Sequence, residues 1–225
     1  MNSFKQLIIY CLSLPFRILC FCRQIDIKSG KRSLVMGGVK VKGKNERIRI
    51  GNNTHLIGCK FVFKGCHNEV YIGHNVRLKN VVFWIEDDNN KIVIGDGTTM
   101  EGNTQLAACE GTNILIGADC MLAFNVNMRT TDSHSILNTN GERINPAADI
   151  RIGNRVWIGT QSLILKGSYI PDNCIIGACS LFTSNKAISS NCIYCGNPAK
   201  IVKRDINWTR KRLSCNKNNV LSKTN

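Results

Sequence analysis

The sequence predicts an all-β fold, a parallel β-helix with a short helix at each end, and two spacings carry that prediction. In the C-terminal half, bulky apolar residues recur every six positions without a slip, from Ile152 to Ile188. In the N-terminal half, a four-residue phrase ending in glycine recurs every 22 positions, from Gly51 to Gly117. Neither spacing fits a helix or a single strand, whereas a short fixed repeat is typical of stacked β-coils.

The six-residue repeat assigns an interior position and a corner to each hexad. Three hexads make a coil of 18 residues, and glycine often follows the apolar residue, which we interpret as a corner where positive φ is cheap only without a Cβ. The interior apolar residues are Ile152, Ile158, Ile164, Ile170, Ile176, Phe182 and Ile188. The residues four positions later are mostly small: Val156, Ser162, Ser168, Cys174, Ser180, Lys186 and Cys192.

The 22-residue repeat predicts coils of 18 residues with four more at one corner. The copies are Ile48–Gly51, Val70–Gly73, Ile92–Gly95 and Ile114–Gly117, and turn-forming residues such as His67-Asn68 and Asn89-Asn90 precede them. Gly117 to Gly153 is a step of 36 residues, which predicts two further coils of 18. A polar segment at about 129–149 breaks the hexad pattern there and predicts an excursion loop, where chemistry tends to lie.

The chain divides into three predicted parts. Residues 31–197 form the β-helix domain. Residues 1–30 form a helical segment, which is interpreted either as a cap on the open end of the β-helix or as an amphipathic helix on a membrane surface through residues 3–23. Residues 198–225 are predicted as a helix that begins past Pro198, followed by a frayed tail.

Charge and cysteine content limit the partners and the compartment. The net charge of +15 predicts anionic partners, which include nucleotide phosphates, acidic glycans, a membrane surface and nucleic acid. Of the 12 cysteines, Cys120, Cys174 and Cys192 occupy small interior positions where a thiol acts as a small apolar group. Reduced, packed thiols favour the cytoplasm over a secreted disulfide scaffold.

Three side chains in or near the loop are candidates for chemistry. His134 is the only histidine past residue 74, and an imidazole is suited to accept and return a proton near neutral pH. Asp132 lies two residues away on the same face, so it is expected either to orient the His134 ring or to bond its own turn backbone. Trp157 points outward between interior Val156 and Ile158, as an oligomer contact or as the wall of a groove.

An ordered set of motifs resembles the hexapeptide-repeat acyltransferases, and within them the bacterial capsule and polysialic-acid glycan O-acetyltransferases. The resemblance is strong over about residues 92–204 and weaker before them. The motifs are Ile116–Leu122, Arg129–Ile136 with the histidine, Arg143–Ala147, Val156–Gly159, Ile164–Gly167 and Gly196–Lys200.

The resemblance implies a left-handed coil, a homotrimer with active sites between subunits, acetyl-CoA as donor, and a glycan hydroxyl as acceptor. It places the catalytic base at His134, with Asp132 beside it. It implies a cytoplasmic enzyme that needs neither a metal nor nucleic acid. Association of this enzyme with the inner membrane stays open. It implies acceptor contacts from Trp157, Asn125 and Arg129. Cofactor contacts are implied for Trp157, Gly159, Gly177, Ala178, Lys186 and Lys200.

Other functions fit parts of the sequence. A related enzyme could acetylate a small sugar, serine or a xenobiotic, because the loops and early coils that select an acceptor carry the weakest resemblance. A zinc enzyme of the γ-carbonic-anhydrase kind needs three converging histidines, yet His55, His67 and His74 are spaced by 12 and 7 residues, which does not match a 22-residue coil. A non-enzymatic basic scaffold would leave the His134 loop without a purpose.

Overall fold

The structure, a computed structural model, describes residues 3–183 and 188–214. In this part of the chain one helix is followed by a long series of short strands. The elements are α1 (Ser3–Cys22), β1 (Asp26–Ser29), β2 (Leu34–Val41), β3 (Arg47–Ile50), β4 (His55–Lys64), β5 (Glu69–Ile72), β6 (Arg77–Lys79), β7 (Val82–Glu86), β8 (Lys91–Ile94), β9 (Thr99–Met100), β10 (Gln105–Cys109), β11 (Asn113–Ile116), β12 (Met121–Leu122), β13 (Asn127–Arg129), β14 (Ile150–Ile152), β15 (Trp157–Ile158), β16 (Leu163–Leu165), β17 (Tyr169–Ile170), β18 (Ile175–Ile176), β19 (Leu181–Phe182), β20 (Ile193–Gly196) and β21 (Ala199–Lys203).

The strands stack in three parallel columns, which are the three faces of one coiled prism. The first face is β1-β3-β5-β8-β11-β14-β17. The second runs from the first half of β4 through β6, β9, β12, β15 and β18 to β20, and the third runs from the second half of β4 through β7, β10, β13 and β16 to β19. The predicted parallel β-helix is therefore confirmed, and each coil contributes one strand to each face.

The interior matches the hexad prediction. The apolar hexad residues from Ile152 to Phe182 are buried, and Ile188 is partly buried against the same core. The small residues four positions later are buried as well, among them Ser162, Ser168 and Cys174. Lys186, the exception in that column, lies outside the described residues. The small residues leave room for the bulky ones, so each coil fills the prism at close-packed density.

The 22-residue step is the register of the first face. Ile48 pairs with Val70, Val70 with Ile92, and Ile92 with Ile114. The additional residues lie at the corner between the third and first faces. In a 22-residue coil this corner takes eight residues, from Ala107 to Leu115 (115 − 107). In an 18-residue coil the same corner takes four, from Leu165 to Tyr169 (169 − 165), because Leu165 is in register with Ala107 and Tyr169 with Leu115.

The sequence predicted that the repeated glycines are needed for positive φ at the corners, and this reason was wrong. Gly51, Gly95 and Gly117 do not have positive φ. A Cβ on Gly95 would lie 2.5 Å from the carbonyl carbon of Gly117, so glycine is needed because the next coil passes directly against it. Positive φ falls two residues later, mostly on residues that tolerate it through local hydrogen bonds: Asn53, Asn75, Gly97, Asp119, Arg155 and Asn173.

The 36-residue step is one coil with a loop, and the prediction of two coils was wrong. Ile114 pairs directly with Ile150, and Met128 pairs directly with Ile164. The whole surplus lies between β13 and β14, at the same corner that carries the additional residues of the earlier coils. An insertion of 18 residues and one more coil give the same spacing, so the sequence alone could not separate them.

The C-terminal helix predicted past Pro198 was also wrong within the described residues. Residues 199–203 form β21, which pairs antiparallel with β20, so backbone groups that a helix would bond internally are taken by the last coil. Beyond it the chain runs back along the prism as a strap, residues 204–212. Ile206 N–H donates to Asn191 O at 2.9 Å, and Arg210 reaches Cys120 O at 2.7 Å.

The predicted N-terminal helix is confirmed and packs on the first coil. Phe16 and Cys20 are buried, and the Phe16 ring lies 5.5 Å from that of Phe61. The buried Ser13 hydroxyl accepts the Val35 N–H at 3.0 Å, which satisfies a strand edge that would otherwise be unpaired. Among the described residues, no helix is long and apolar enough to cross a membrane.

Candidate active site

The excursion loop, residues 130–149, is fastened at both ends to the coil beneath it. Thr130 O accepts the Ala148 N–H at 3.0 Å where the loop leaves and re-enters the prism. Arg143 forms a two-pronged ion pair with Glu110, at 2.7 and 2.9 Å. This guanidinium, followed by the Thr131 hydroxyl, lowers the pKa of the Glu110 carboxyl. A charge-assisted bidentate pair fixes orientation as well as distance, so the loop has a defined position.

Asn145 fixes the backbone on either side of His134. Its side-chain N–H donates to His134 O at 2.8 Å, and its side-chain oxygen accepts the Ile136 N–H at 2.7 Å. Asn145 is only 8% exposed, so these bonds are shielded from water. Asn145 lies in the motif Arg143–Ala147, but the sequence assigned it no role, because nothing in its spacing distinguishes it from other loop amides.

His134 presents an exposed ring, and no side chain within residues 3–183 and 188–214 bonds to that ring. The predicted pairing with Asp132 is not found. The Asp132 carboxylate instead bonds Lys166 Nζ at 2.5 Å and the Asn145 amide at 2.8 Å, and these two bonds lower its pKa. Ser133, at φ 65°, turns the chain between the two residues. Asp132 therefore ties the loop to the end of β16 rather than to the imidazole.

Trp157 points outward, as predicted, and is 37% exposed between the buried Val156 and Ile158. It lies on the second face, while the loop leaves at the corner between the third and first faces. Its indole packs against that of Trp208, with ring centroids 6.1 Å apart. It also lines a groove of about 680 Å³ together with Met121 and Arg210. Within one chain, Trp157 and the His134 loop therefore belong to different sides of the prism.

The strap supplies two residues that sequence analysis missed. Trp208 is buried and donates its indole N–H to Arg155 O at 2.7 Å, next to Trp157 in the chain. Arg210 bonds Asp119 at 2.9 Å and the Thr99 hydroxyl at 2.8 Å, so it bridges two neighbouring coils and lines the groove. These contacts join residues 53 to 111 positions apart, and no local pattern predicts them.

Four of the predicted cofactor residues lie along one edge, between the second and third faces. Gly159 N–H donates to Ile176 O at 2.7 Å, and Gly177 N–H donates to Tyr194 O at 2.8 Å, on successive coils. A Cβ on Gly159 would lie 2.5 Å from Ala178 N, so coil stacking by itself requires that glycine. Lys200 is exposed and pairs with Cys195 at the end of the same edge. The result is an edge with small residues at Gly159, Gly177 and Ala178 that ends at a cation; Lys186 lies outside the described residues.

The two other predicted acceptor residues lie apart from each other. Asn125 has φ 60° at the corner between the second and third faces, and its N–H donates to Gly102 O at 2.9 Å. Its identity is thus explained by corner geometry. Arg129 is exposed at the end of β13, where the loop begins, so it shares the corner of His134.

The early histidines are stacking residues. His74 Nδ1 accepts the Asn52 N–H at 2.9 Å, and His67 Nε2 lies 3.0 Å from the Asn45 amide, one coil away in each case. Over residues 3–183 and 188–214, no three acidic, histidine or cysteine side chains are grouped as metal ligands.

Comparisons with known proteins agree with this architecture. A polysialic acid O-acetyltransferase of Neisseria meningitidis is 40% identical over 111 residues, which is 49% of this chain and 51% of that protein. The polysialic acid O-acetyltransferase of Escherichia coli O1:K1 / APEC is 40% identical over 99 residues, 44% of this chain and 32% of that protein. The chain thus spans about a third to a half of the length of the curated relatives it matches.

A solved structure extends the match to most of the chain. The polysialic acid O-acetyltransferase OatWY superposes with a TM-score of 0.75 at 34% sequence identity, covering 88% of this chain and 92% of that one. No family model matches the sequence. The parallel coils, the loop with its histidine and this nearly full-length structural match show that the chain belongs to the hexapeptide-repeat acetyltransferases.

Proposed function

We propose that the protein transfers an acetyl group from acetyl-CoA to a hydroxyl of a bacterial surface glycan in the cytoplasm. The observation that carries the proposal is the nearly full-length likeness to a polysialic acid O-acetyltransferase, in a chain whose excursion loop holds the exposed His134. The net charge of +15 suits a sialylated or otherwise anionic acceptor. CoA phosphates account for part of the same charge.

His134 acts as the general base. A sugar hydroxyl is a poor nucleophile, so a neutral imidazole accepts its proton while the oxygen forms a bond to the thioester carbonyl carbon. The carbon–sulfur bond then breaks, and the imidazolium returns the proton to the departing thiolate. General-base help of this kind is worth about 10² to 10⁴ in rate. Asn145 holds the backbone of the base, and Asp132 with Lys166 holds the loop to the coil.

The donor lies along the edge formed by Gly159, Gly177 and Ala178. The absence of bulky side chains there lets a long flexible arm lie close to backbone N–H and C=O groups. Lys200 at the end of the edge is placed to pair with its phosphates. Trp157 beside this edge forms the wall against which the thioester and the acceptor meet, and Asn125 and Arg129 contact the acceptor.

The active unit is a homotrimer with each site between two subunits. The support is the position of the groups in one chain: Trp157 and the donor edge are separated from the His134 loop by the third face. A threefold arrangement brings the loop of one subunit to the donor edge of the next, as closed symmetry requires of a heterologous contact.

The first test removes the base. His134→Ala is expected to lower acetyl transfer by about 10² to 10⁴ while CoA binding by calorimetry stays unchanged. Ser135→Ala, an exposed neighbour in the same loop, is the matched control. Turnover within twofold of the native rate in His134→Ala would reject the mechanism.

The second test addresses the shared site. His134→Ala and Trp157→Ala are each expected to be inactive, but their randomly mixed trimers should regain about a quarter of native activity, because three-quarters are mixed and each mixed trimer has one intact interface. No recovery would place both groups of a site in one subunit.

The third test identifies the acceptor. Thiol release from acetyl-CoA is followed with anionic and neutral oligosaccharides, a simple sugar, serine and chloramphenicol as a xenobiotic. Transfer to the anionic chains supports the proposal. Transfer only to a small acceptor supports the alternative function, an acetyltransferase for small molecules.

A further inference from the structure

The outward side of α1 is apolar along its whole described length. Large apolar side chains project away from the coil, with Leu7 58%, Ile18 52% and Phe21 83% exposed. The others on this ridge are Ile8, Tyr10, Leu12, Leu14 and Leu19. Exposed apolar patches of this size mark an interaction site rather than ordinary surface. The opposite side of the helix already packs on the first coil through Phe16 and Cys20.

Basic grooves run along both flanks of this ridge. The groove on one side, about 780 Å³, is lined by Tyr10, Arg17, Lys31 and Arg32. The groove on the other side has the same volume and is lined by Leu19, Arg23, Lys40, Lys42 and Lys60. An apolar ridge between two rows of cations is the cross-section of a helix that lies in a bilayer interface, with its cations at the level of the headgroups.

The charge of the chain is concentrated at this end. The first 44 residues carry nine cations and one carboxylate, a net +8 of the total +15 in about a fifth of the length. That single carboxylate, Asp26, is paired with Arg49. Cations this dense repel one another when copies meet, but they are attracted to a surface of anionic lipid.

We propose that α1 and its flanking grooves bind the surface of an anionic phospholipid bilayer, with the helix ridge from Leu7 to Phe21 inserted at the interface. The ridge contributes burial of apolar surface, and the cations contribute attraction to lipid phosphates. The prism then projects from the membrane with α1 at its base. This inference goes beyond the acetyl transfer proposed above and does not depend on it.

The test is sedimentation of the full-length protein with vesicles. Vesicles with about 30% phosphatidylglycerol in phosphatidylcholine are expected to bind at least about tenfold more protein than phosphatidylcholine alone. Raising the salt to about 0.5 M should weaken binding, because screening removes the contribution of the cations. Equal binding to both vesicles, or none to the anionic ones, would overturn the proposal.

Two variants with matched controls separate the two contributions. Ile18→Glu is expected to lower binding about tenfold or more by placing a charge on the ridge, whereas Leu213→Glu, an even more exposed apolar residue elsewhere, should not. The double variant Lys31→Glu/Arg32→Glu should lower it as well, whereas Lys211→Glu/Arg212→Glu, an exposed basic pair on the strap, should not. Thermal melting of each variant confirms that it folds.

The competing occupant is a second copy of the chain. If Ile18→Glu reduces the mass of the oligomer in light scattering and leaves vesicle binding unchanged, the ridge is a subunit contact and the membrane proposal fails. Vesicle binding retained in both Ile18→Glu and Lys31→Glu/Arg32→Glu also overturns it. Because vesicle binding requires no acetyl transfer, its failure is distinguishable from a failure of the proposed enzyme activity.

Discussion

The 22-residue coils and the 18-residue coils share one interior but differ at one corner. In the 18-residue coils that corner turns in a few residues, and the buried Ser168 hydroxyl donates to Phe182 O at 3.3 Å. In the 22-residue coils it contains a column of buried polar side chains. The side chains of Glu46, Asn68 and Asn90 each accept a backbone N–H of the next coil, from Asn68, Asn90 and Thr112 in turn.

The wider corner of the 22-residue coils supports the His134 loop. The His134 loop grows from this same corner and rests on the last of the longer coils. The Thr112 hydroxyl donates to that of Thr130 at 2.6 Å, and Asn113 N–H donates to Asp149 at 2.9 Å. Together with the pair of Glu110 and Arg143, these bonds make the wide corner the base of the candidate active site.

The largest expected change in stability comes from a feature that the two kinds of coil share, a glycine against which the next coil packs closely. Gly95→Ala in a long coil and Gly153→Ala in a short one should each lower the free energy of unfolding by about 3 kcal/mol, because the new Cβ meets backbone of the next coil. Gly38→Ala is the control, since no atom lies within 4 Å of its built Cβ. Urea unfolding measures all three, and a large loss in only one region would show that the regions stack differently.

The next effect tests the polar column itself. Asn90→Ala leaves the buried Thr112 N–H without its acceptor and removes one of the two bonds to the Asn68 side-chain oxygen, and should cost about 2 to 3 kcal/mol. Ser168→Ala, which removes one bond from the short-coil corner, should cost about 1 kcal/mol. Equal losses in urea unfolding would contradict the special role of the column.

A smaller effect tests the link from the wide corner to the loop. Glu110→Ala frees Arg143 and Thr131, and should lower kcat about tenfold by displacing the loop, since small misplacements of catalytic groups are costly. Glu142→Ala in the same loop, where the carboxylate accepts a bond from the half-buried Asn138, should leave kcat unchanged. A native kcat in Glu110→Ala would show that the loop keeps its position without this support.

The last effect is a pH dependence that arises at Glu46, in the corner of the long coils. Glu46 is 1% exposed, and burial raises its pKa to about 7. The folded state therefore holds a proton that the unfolded chain releases near its ordinary carboxyl pKa. This stabilisation is complete below that ordinary value and is lost as pH rises through about 7. Urea unfolding from pH 5 to 8 measures how the free energy of unfolding depends on pH, and Glu46→Gln should flatten this dependence. An unchanged slope in the variant would show that another group causes the pH dependence.

Repetition made most of the fold predictable, and the exceptions have physical causes. Interior residues such as Ile158 and Ile170 follow from spacing because each coil copies the last. The reason why Gly95 is a glycine did not follow from spacing, since a sequence does not distinguish a close approach of the next coil from a positive φ. The strand Ala199–Lys203 was missed because its partner, β20, is chosen by tertiary pairing. His134 could be identified from the motif around it. Asn145 lies in one of the motifs, but its bonds to the backbone around His134 could not be deduced from sequence, and Trp208 and Arg210 act through contacts that have no local signature.

The ends of the excursion loop meet at the hydrogen bond between Ala148 N–H and Thr130 O, and the coil then resumes its register as though nothing had been added. The segment is consequently a cassette: it can be lengthened, shortened or exchanged without sliding any strand beneath it. The length and side chains of this segment can diverge in evolution, or be exchanged by design, while the scaffold beneath stays as it is.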